Sequence, residues 1–255
     1  MTYFTDLHNK TVMVTGGSKG IGKDIALSFV KLGAHVLIIG RGATALEDTL
    51  AELNEAGSGK HKAVVADVND ISRIQEIVAE TVRDYGTIDI LVNNAGVNIP
   101  KPAIEVTEED WDTILDTNLK SVFFFSQAVG KHLIEQGKKG KIINIASQMS
   151  FVGYIKRAAY CSSKGGVVQL TKALAVEWSS FGINVNAVAP TFVETELTAG
   201  MFKDENFKKD VESRILLGKM PKPKDISGAV LYLASELADF VTGETIKVDG
   251  GWTAI

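Results

Sequence analysis

The chain has 255 residues, an apolar share of 45%, charged residues at 23% and a formal net charge of −4. Those figures allow one large core and give no global positive field that would gather nucleic acid or an anionic membrane surface. Cys161 is the only cysteine, which excludes an internal disulfide and fits a reducing compartment.

Apolar runs and helical patterns alternate along the chain. Thr11–Thr15 reads as a short buried strand running into glycines. Ile21, Ile25, Phe29 and Leu32 follow at helical spacing, and Gly33 closes that helix. His35–Gly40 is a second strand, 43–55 a helix ended by Gly57, and 62–67 a third strand. Ile71, Ile74, Ile77, Val78 and Val82 mark the next helix, and 88–93 a fourth strand. A long helix over 108–135 precedes strand 141–147, and another over 158–181 precedes strand 184–190. Residues 226–235 predict a last helix and 244–249 a seventh strand.

This alternation predicts an α/β fold: a doubly wound, Rossmann-like, seven-stranded parallel sheet with helices on both faces. No linker, repeat or low-complexity segment divides the chain, so residues 1–255 are expected to form a single domain. Residues 191–224 interrupt the alternation, with Met201, Phe202 and Phe207 among charges. They read either as a flap on the substrate side or as a partner-facing helix pair. The four histidines have no metal-like spacing and none is near Cys161 in sequence, so neither a metal site nor a cysteine nucleophile is expected. The first residues lack a signal pattern and no apolar run approaches membrane-spanning length. The expectation is a cytoplasmic protein with no membrane and no nucleic-acid partner.

Gly16-Gly17-Ser18-Lys19-Gly20-Ile21-Gly22 lies between the first strand and the first helix. Glycines there permit a tight turn and let backbone N–H groups approach a pyrophosphate at the helix N-terminus. The spacing differs from the commoner Gly-x-Gly-x-x-Gly. The second strand ends in Gly40-Arg41, where an acid would bind a free ribose 2′-hydroxyl. Arg41, with Lys19 from the glycine turn, suits a 2′-phosphate instead, so NADP(H) is expected and NAD(H) remains open. Both cations also fit a merely solvated surface.

Tyr160 and Lys164 stand four residues apart in a predicted helix, one turn apart on one face. A lysine charge beside a phenol is expected to favour phenolate, which gives a proton donor and acceptor usable near neutral pH.

Thr15-Gly16-Gly17-Ser18-Lys19-Gly20-Ile21-Gly22, Asp67-Val68, Asn93-Asn94-Ala95-Gly96, Asn118, Ser147, Tyr160 with Lys164, and Pro190 followed by Thr195 occur in that order. With these motifs the chain resembles the short-chain dehydrogenase/reductase family in its single-domain form, over residues 8–252. The resemblance implies a catalytic set of Asn118, Ser147, Tyr160 and Lys164. Ser147 would donate to the substrate carbonyl oxygen and Tyr160 would exchange its proton. Lys164 would tune the tyrosine and hold the nicotinamide ribose; Asn118 would bend its helix and bind a water between Lys164 and solvent. It also implies cofactor contacts at Gly16, Ser18, Lys19, Gly20, Ile21, Gly22, Arg41, Asp67, Val68, Asn94, Ala95, Gly96, Val193 and Thr195. The family's usual glycine after the strand-six proline is Thr191 here, which makes positive φ unlikely at that position.

Gly140–Ser147 and Val248-Asp249-Gly250-Gly251-Trp252 resemble gluconate 5-dehydrogenases and deoxygluconate dehydrogenases, which implies a sugar acid or polyol substrate. Ser147, Gln148, Tyr154 and Arg157 are the candidate substrate residues. Arg157 would pair with a carboxylate or else lie at a subunit interface. A 3-oxoacyl-carrier-protein reductase, a tropinone-reductase-like ketone reductase and a nucleotide-binding regulator without catalysis are the alternatives. The resemblance further implies a homotetramer with contact faces on helices 108–135 and 158–181.

Overall fold

Seven short apolar runs form one parallel sheet in the computed structural model, which describes residues 3–195, 198 and 200–254. In chain order the strands are β1 (Thr11–Thr15), β2 (His35–Gly40), β3 (Lys62–Val65), β4 (Ile90–Asn93), β5 (Gly140–Ile145), β6 (Ile183–Pro190) and β7 (Thr245–Val248). They lie side by side as β3-β2-β1-β4-β5-β6-β7, every pair parallel. Such strands are covered on both faces, which is why β1 and β4 read as unbroken apolar runs.

The helices are α1 (Gly20–Lys31), α2 (Ala43–Ala56), α3 (Ile71–Tyr85), α4 (Glu108–Leu115), α5 (Ser121–Glu135), α6 (Ala158–Trp178), α7 (Glu205–Arg214) and α8 (Pro223–Ala234). Alternate strand residues serve opposite layers. Val12, Val14 and Ile38 meet Ile25 and Phe29 of α1 and Ile226 and Val230 of α8. Met13, Leu37, Leu91 and Ile142 meet Ile77 of α3, Phe125 of α5 and Leu174 of α6. Because chain order reverses at β1, with β2 on one side and β4 on the other, a crevice opens beyond the carboxyl ends of these strands.

Most boundaries fall within two residues of the sequence reading, but three differences bear on function. The long helix 108–135 is broken by a π-turn, Asp116–Lys120, in which Ser121 N–H donates five residues back to the Asp116 carbonyl. The third strand stops at Val65: Ala66 N–H still bonds to Gly40, but Asp67 leaves the sheet and its Oδ1 accepts from Asn69 N–H at 3.0 Å. Residues 191–224 contain helix α7, capped by Asp204, which accepts from Asn206 and Phe207 N–H, and α8 starts early with Pro223 in its first turn. Among the described residues no helix is long and apolar enough to cross a membrane.

Candidate active site

The glycine turn occupies the mouth of the crevice. Gly16 and Gly20 have φ of +64° and +52°, the left-handed region that a side chain disfavours. A Cβ on Gly22 would collide with the Gly16 carbonyl oxygen and the Asn94 amide. Asn94 holds the turn against β1 by donating from Nδ2 to the Thr15 and Gly16 carbonyls at 3.1 and 3.0 Å. Thr15 Oγ1 accepts in return from Asn94 and Ala95 N–H. No side chain caps α1 after Lys19, so its first-turn N–H groups are left for an anion.

Arg41 is exposed just beyond β2, and Ser18 Oγ lies 3.5 Å from where a Cβ on Gly40 would sit, so these two share one rim. Asp67 is exposed, Val68 buried. Across the turn, Thr195 approaches Gly20: a Cβ there would lie 3.3 Å from Thr195 Cγ2. Val193 is buried, and Thr198 Oγ1 ties the loop by donating to the Val193 carbonyl at 2.6 Å. Thr191 avoids positive φ and continues the sheet, its N–H reaching the Val248 carbonyl at 3.3 Å.

Deeper in the crevice, Lys164 is buried and donates from Nζ to the Ile145 carbonyl at the end of β5, at 2.7 Å. Burial depresses its pKa from 10.5 to about 8. Asn118, from the π-turn, is fully buried. Its Oδ1 accepts from Val97 N–H at 2.7 Å, and its Nδ2 donates to the Val97 carbonyl at 2.9 Å and to Ser163 Oγ at 3.1 Å. Gly96 bridges the two: a Cβ on it would lie 3.3 Å from Asn118 Oδ1 and 3.6 Å from Lys164 Nζ.

The tyrosine differs from the sequence expectation. Lys164 Nζ lies 6.0 Å from the centre of the Tyr160 ring and spends its hydrogen bond on Ile145. Burial raises the Tyr160 pKa, while the neighbouring Ser147 and the charge of Arg157 pull it down by less. The phenol is held neutral, with part of its surface still open to the crevice. Ser147 itself donates to Gln148 Oε1 at 2.7 Å and accepts from Met149 N–H at 3.2 Å.

Of the other substrate candidates, Tyr154 is engaged elsewhere: its hydroxyl donates to Asp210 of α7 at 2.6 Å, and burial with Asp210 beside it pushes its pKa up to about 12. Arg214 forks onto Asp210, with Nε at 3.1 Å from each carboxylate oxygen and Nη2 at 2.9 Å from Oδ1. Its guanidinium also covers Tyr154 and Trp252 at 5.6 and 5.7 Å. Phe192, Phe202 and Phe207 pack edge-on or tilted in the same cluster. This clasp was missed in the sequence because its members come from segments far from Tyr154 along the chain, from Phe192 to Trp252; the Asp210–Arg214 spacing of four on a capped helix was its only local signal.

A family model described as enoyl-(acyl carrier protein) reductase matches residues 16–253. The 2-dehydro-3-deoxy-D-gluconate 5-dehydrogenase of Escherichia coli (strain K12) is 41% identical over 248 residues, 97% of each chain. The chain belongs to the short-chain dehydrogenase/reductase family. The 3-oxoacyl-[acyl-carrier-protein] reductase of Thermotoga maritima is 39% identical over 96% of this chain and 98% of its own. A gluconate 5-dehydrogenase from Burkholderia cenocepacia J2315, solved in complex with NADP and tartrate, superposes with a TM-score of 0.93 at 32% identity, covering 100% of both chains. This short-chain dehydrogenase/reductase is an oxidoreductase acting on CH–OH groups with NAD(P). The glycine cradle that a Cβ would fill and the uncapped α1 terminus fit the pyrophosphate of such a cofactor.

Proposed function

We propose that the protein interconverts a secondary alcohol and a ketone on a sugar acid of the gluconate or ketogluconate type, using NADP(H). The observation that carries this reading is a neutral, half-buried phenol beside Ser147, with Lys164 fixed behind it at the end of β5. Gly16, Ser18, Lys19, Gly20, Ile21 and Gly22 would hold the pyrophosphate, Asp67 and Val68 the adenine, and Arg41 with Lys19 the 2′-phosphate. Asn94, Ala95, Gly96, Val193 and Thr195 would flank the nicotinamide, which supplies or accepts the hydride. Ser147 turns its hydroxyl from Gln148 to the substrate oxygen and stabilises the charge that gathers there. Tyr160 delivers its proton to that oxygen, or removes it in oxidation. Lys164, as a cation, stabilises the phenolate left when Tyr160 gives up its proton, and holds ribose hydroxyls. Asn118 aligns this relay beside Gly96, which is open to solvent.

The substrate class rests on the names of the E. coli and B. cenocepacia relatives and on the tartrate in the latter's crystal. Residues 191–224, whose helix α7 is clasped by Tyr154 and Trp252, serve as the flap over the substrate in a single domain spanning 1–255, its residues 196, 197 and 199 lying outside the described ones. The homotetramer is supported by an apolar groove of about 550 Å³ between α5 and α6, lined by Leu115, Leu119, Phe123, Leu170 and Ala173. A 3-oxoacyl-carrier-protein reductase is the second reading, favoured by the T. maritima relative. The test follows nicotinamide absorbance with both cofactors against keto-sugar acids, polyols, acetoacetyl thioesters and bicyclic ketones. Keto-sugar acids should turn over fastest with NADPH. Preference for the thioester would install the second reading, and nucleotide binding without any turnover would mean a regulator. Tyr160→Phe should lose about 10²–10⁴-fold in kcat while binding NADPH normally; a smaller loss would remove the proton-transfer role.

A further inference from the structure

Among the described residues, three charged side chains are buried: Asp249, Lys164 and Arg157. Asp249 accepts from Gly251 N–H, Thr253 N–H and the Thr253 hydroxyl. Lys164 has the Ile145 carbonyl. Arg157, 5% exposed, has one long bond, from Nη1 to the carbonyl of its neighbour Lys156 at 3.2 Å. Its Nε is buried with no acceptor, and no described carboxylate lies within ion-pairing distance of 4.0 Å. A guanidinium has five N–H donors in a planar fork, and burying it unmatched is costly.

Its place compounds the mismatch. Arg157 is the N-cap of α6, a helix of 21 residues with no acid in its first turn and no side-chain cap. The partial positive charge at a helix N-terminus repels a cation, so helix and side chain together want an anion. The charge of the guanidinium is felt at Tyr160, and also at Tyr154 and Cys161. Tyr160 is three residues further on.

We propose that Arg157 and the N-terminus of α6 form the carboxylate subsite of the substrate pocket, holding the acid end of a sugar acid while Tyr160 and Ser147 engage its alcohol or ketone carbon. The subsite rests on the hydride-transfer reading above for its location, and on the buried, unmatched guanidinium for its chemistry. A planar carboxylate accepts two parallel N–H bonds from the fork. The burial that makes the cation costly when unpaired makes the pair selective: a neutral polyol of the same length leaves the charge unmatched.

The test is binding of D-gluconate and of neutral D-glucitol to the enzyme–NADPH complex, where both partners are reduced and no turnover intervenes. Titration calorimetry should give tighter binding of gluconate by the native protein. Arg157→Gln should weaken gluconate about 10–100-fold, leave glucitol unchanged and put the loss for a keto-sugar acid into KM rather than kcat. Arg157→Lys should recover part of it. Because no native ion pair is lost, thermal unfolding of Arg157→Gln should occur at the same or a higher temperature. Gluconate binding no tighter than glucitol, or equal losses for both ligands in Arg157→Gln, would overturn the subsite. A lowered unfolding temperature with both ligands weakened would make Arg157 structural, as would an acid from a second copy of the chain pairing with it. Arg157-dependent gluconate binding without turnover of any substrate would leave the subsite standing and remove the hydride-transfer reading. Turnover of keto-sugar acids with unchanged KM in Arg157→Gln would do the reverse.

Discussion

Replacing Lys164 with methionine should separate what this residue does for the reaction from what it costs the fold. The ammonium is buried with a single carbonyl for company, and its pKa falls from 10.5 to about 8. At about 1.4 kcal/mol per unit, the charged form costs the ligand-free protein roughly 3 kcal/mol. Between those two values the unfolded chain holds a proton that the native one has released, so stability rises with pH across that window. Below about pH 8 the penalty is present in full. Lys164→Met removes it but leaves the Ile145 carbonyl without a partner, a loss of about 1–3 kcal/mol. Near neutral pH the two effects roughly cancel or favour the variant, whereas at about pH 10 only the lost hydrogen bond remains and the variant is the weaker protein. The variant-minus-native unfolding temperature should therefore fall by roughly 5–10 °C between about pH 7 and about pH 10, given about 2–4 °C per kcal/mol for a chain of this size. Differential scanning calorimetry without nucleotide measures it. A difference that stays constant over that range would refute the buried-charge account, whatever happens to activity.

Arg41→Ala should weaken NADPH by about 10–100-fold, the worth of a charge-assisted bond to phosphate, and leave NADH nearly unaffected; equal effects in fluorescence titrations would mean that Arg41 does not read the 2′-phosphate. Asp210→Asn should loosen the clasp on α7, raising KM and speeding proteolysis near residues 205–214, and an unchanged digestion rate would show that aromatic packing alone holds the helix. The native clasp should also weaken in acid: Arg214, then Tyr154, depress the Asp210 pKa, so its contribution is present above the ordinary carboxylate range and is lost as pH falls through the lowered value. Limited proteolysis across that range checks this.

Much of the site is legible in the sequence because it is local. The glycine turn, the Tyr160–Lys164 spacing and the strand-end Ser147 each need only a few neighbouring residues and the alternation of strands with helices. What stayed hidden depends on contacts between distant segments. The π-turn exists because Asn118 reaches Val97 and Ser163, 21 and 45 residues away, and no spacing rule registers that. Helix α7 buries only Val211 within its own span and is held by Tyr154 and Trp252 from elsewhere in the chain, so its apolar pattern is too weak to read. The tyrosine's acidity was misjudged for a related reason: spacing put Lys164 on the right face, but distance and burial decide a pKa, and both favour the neutral phenol.

The extra residue accommodated at Asp116–Lys120 makes one short stretch answer to two surfaces. Each added residue turns a helix by about 100°, so the π-turn sets the angle between everything before it and everything after it. Inside, that angle delivers Asn118 to Val97 and Lys164's neighbourhood. Outside, the same stretch supplies Asp116, Leu119 and Lys120 to the apolar groove, between Leu115 and Phe123. Removing any one residue from 116–120 would wind the segment into ordinary α-helix and swing both sets of side chains away together. The buried Asn118 and the outer groove share one thread pitch, and neither can be re-cut alone.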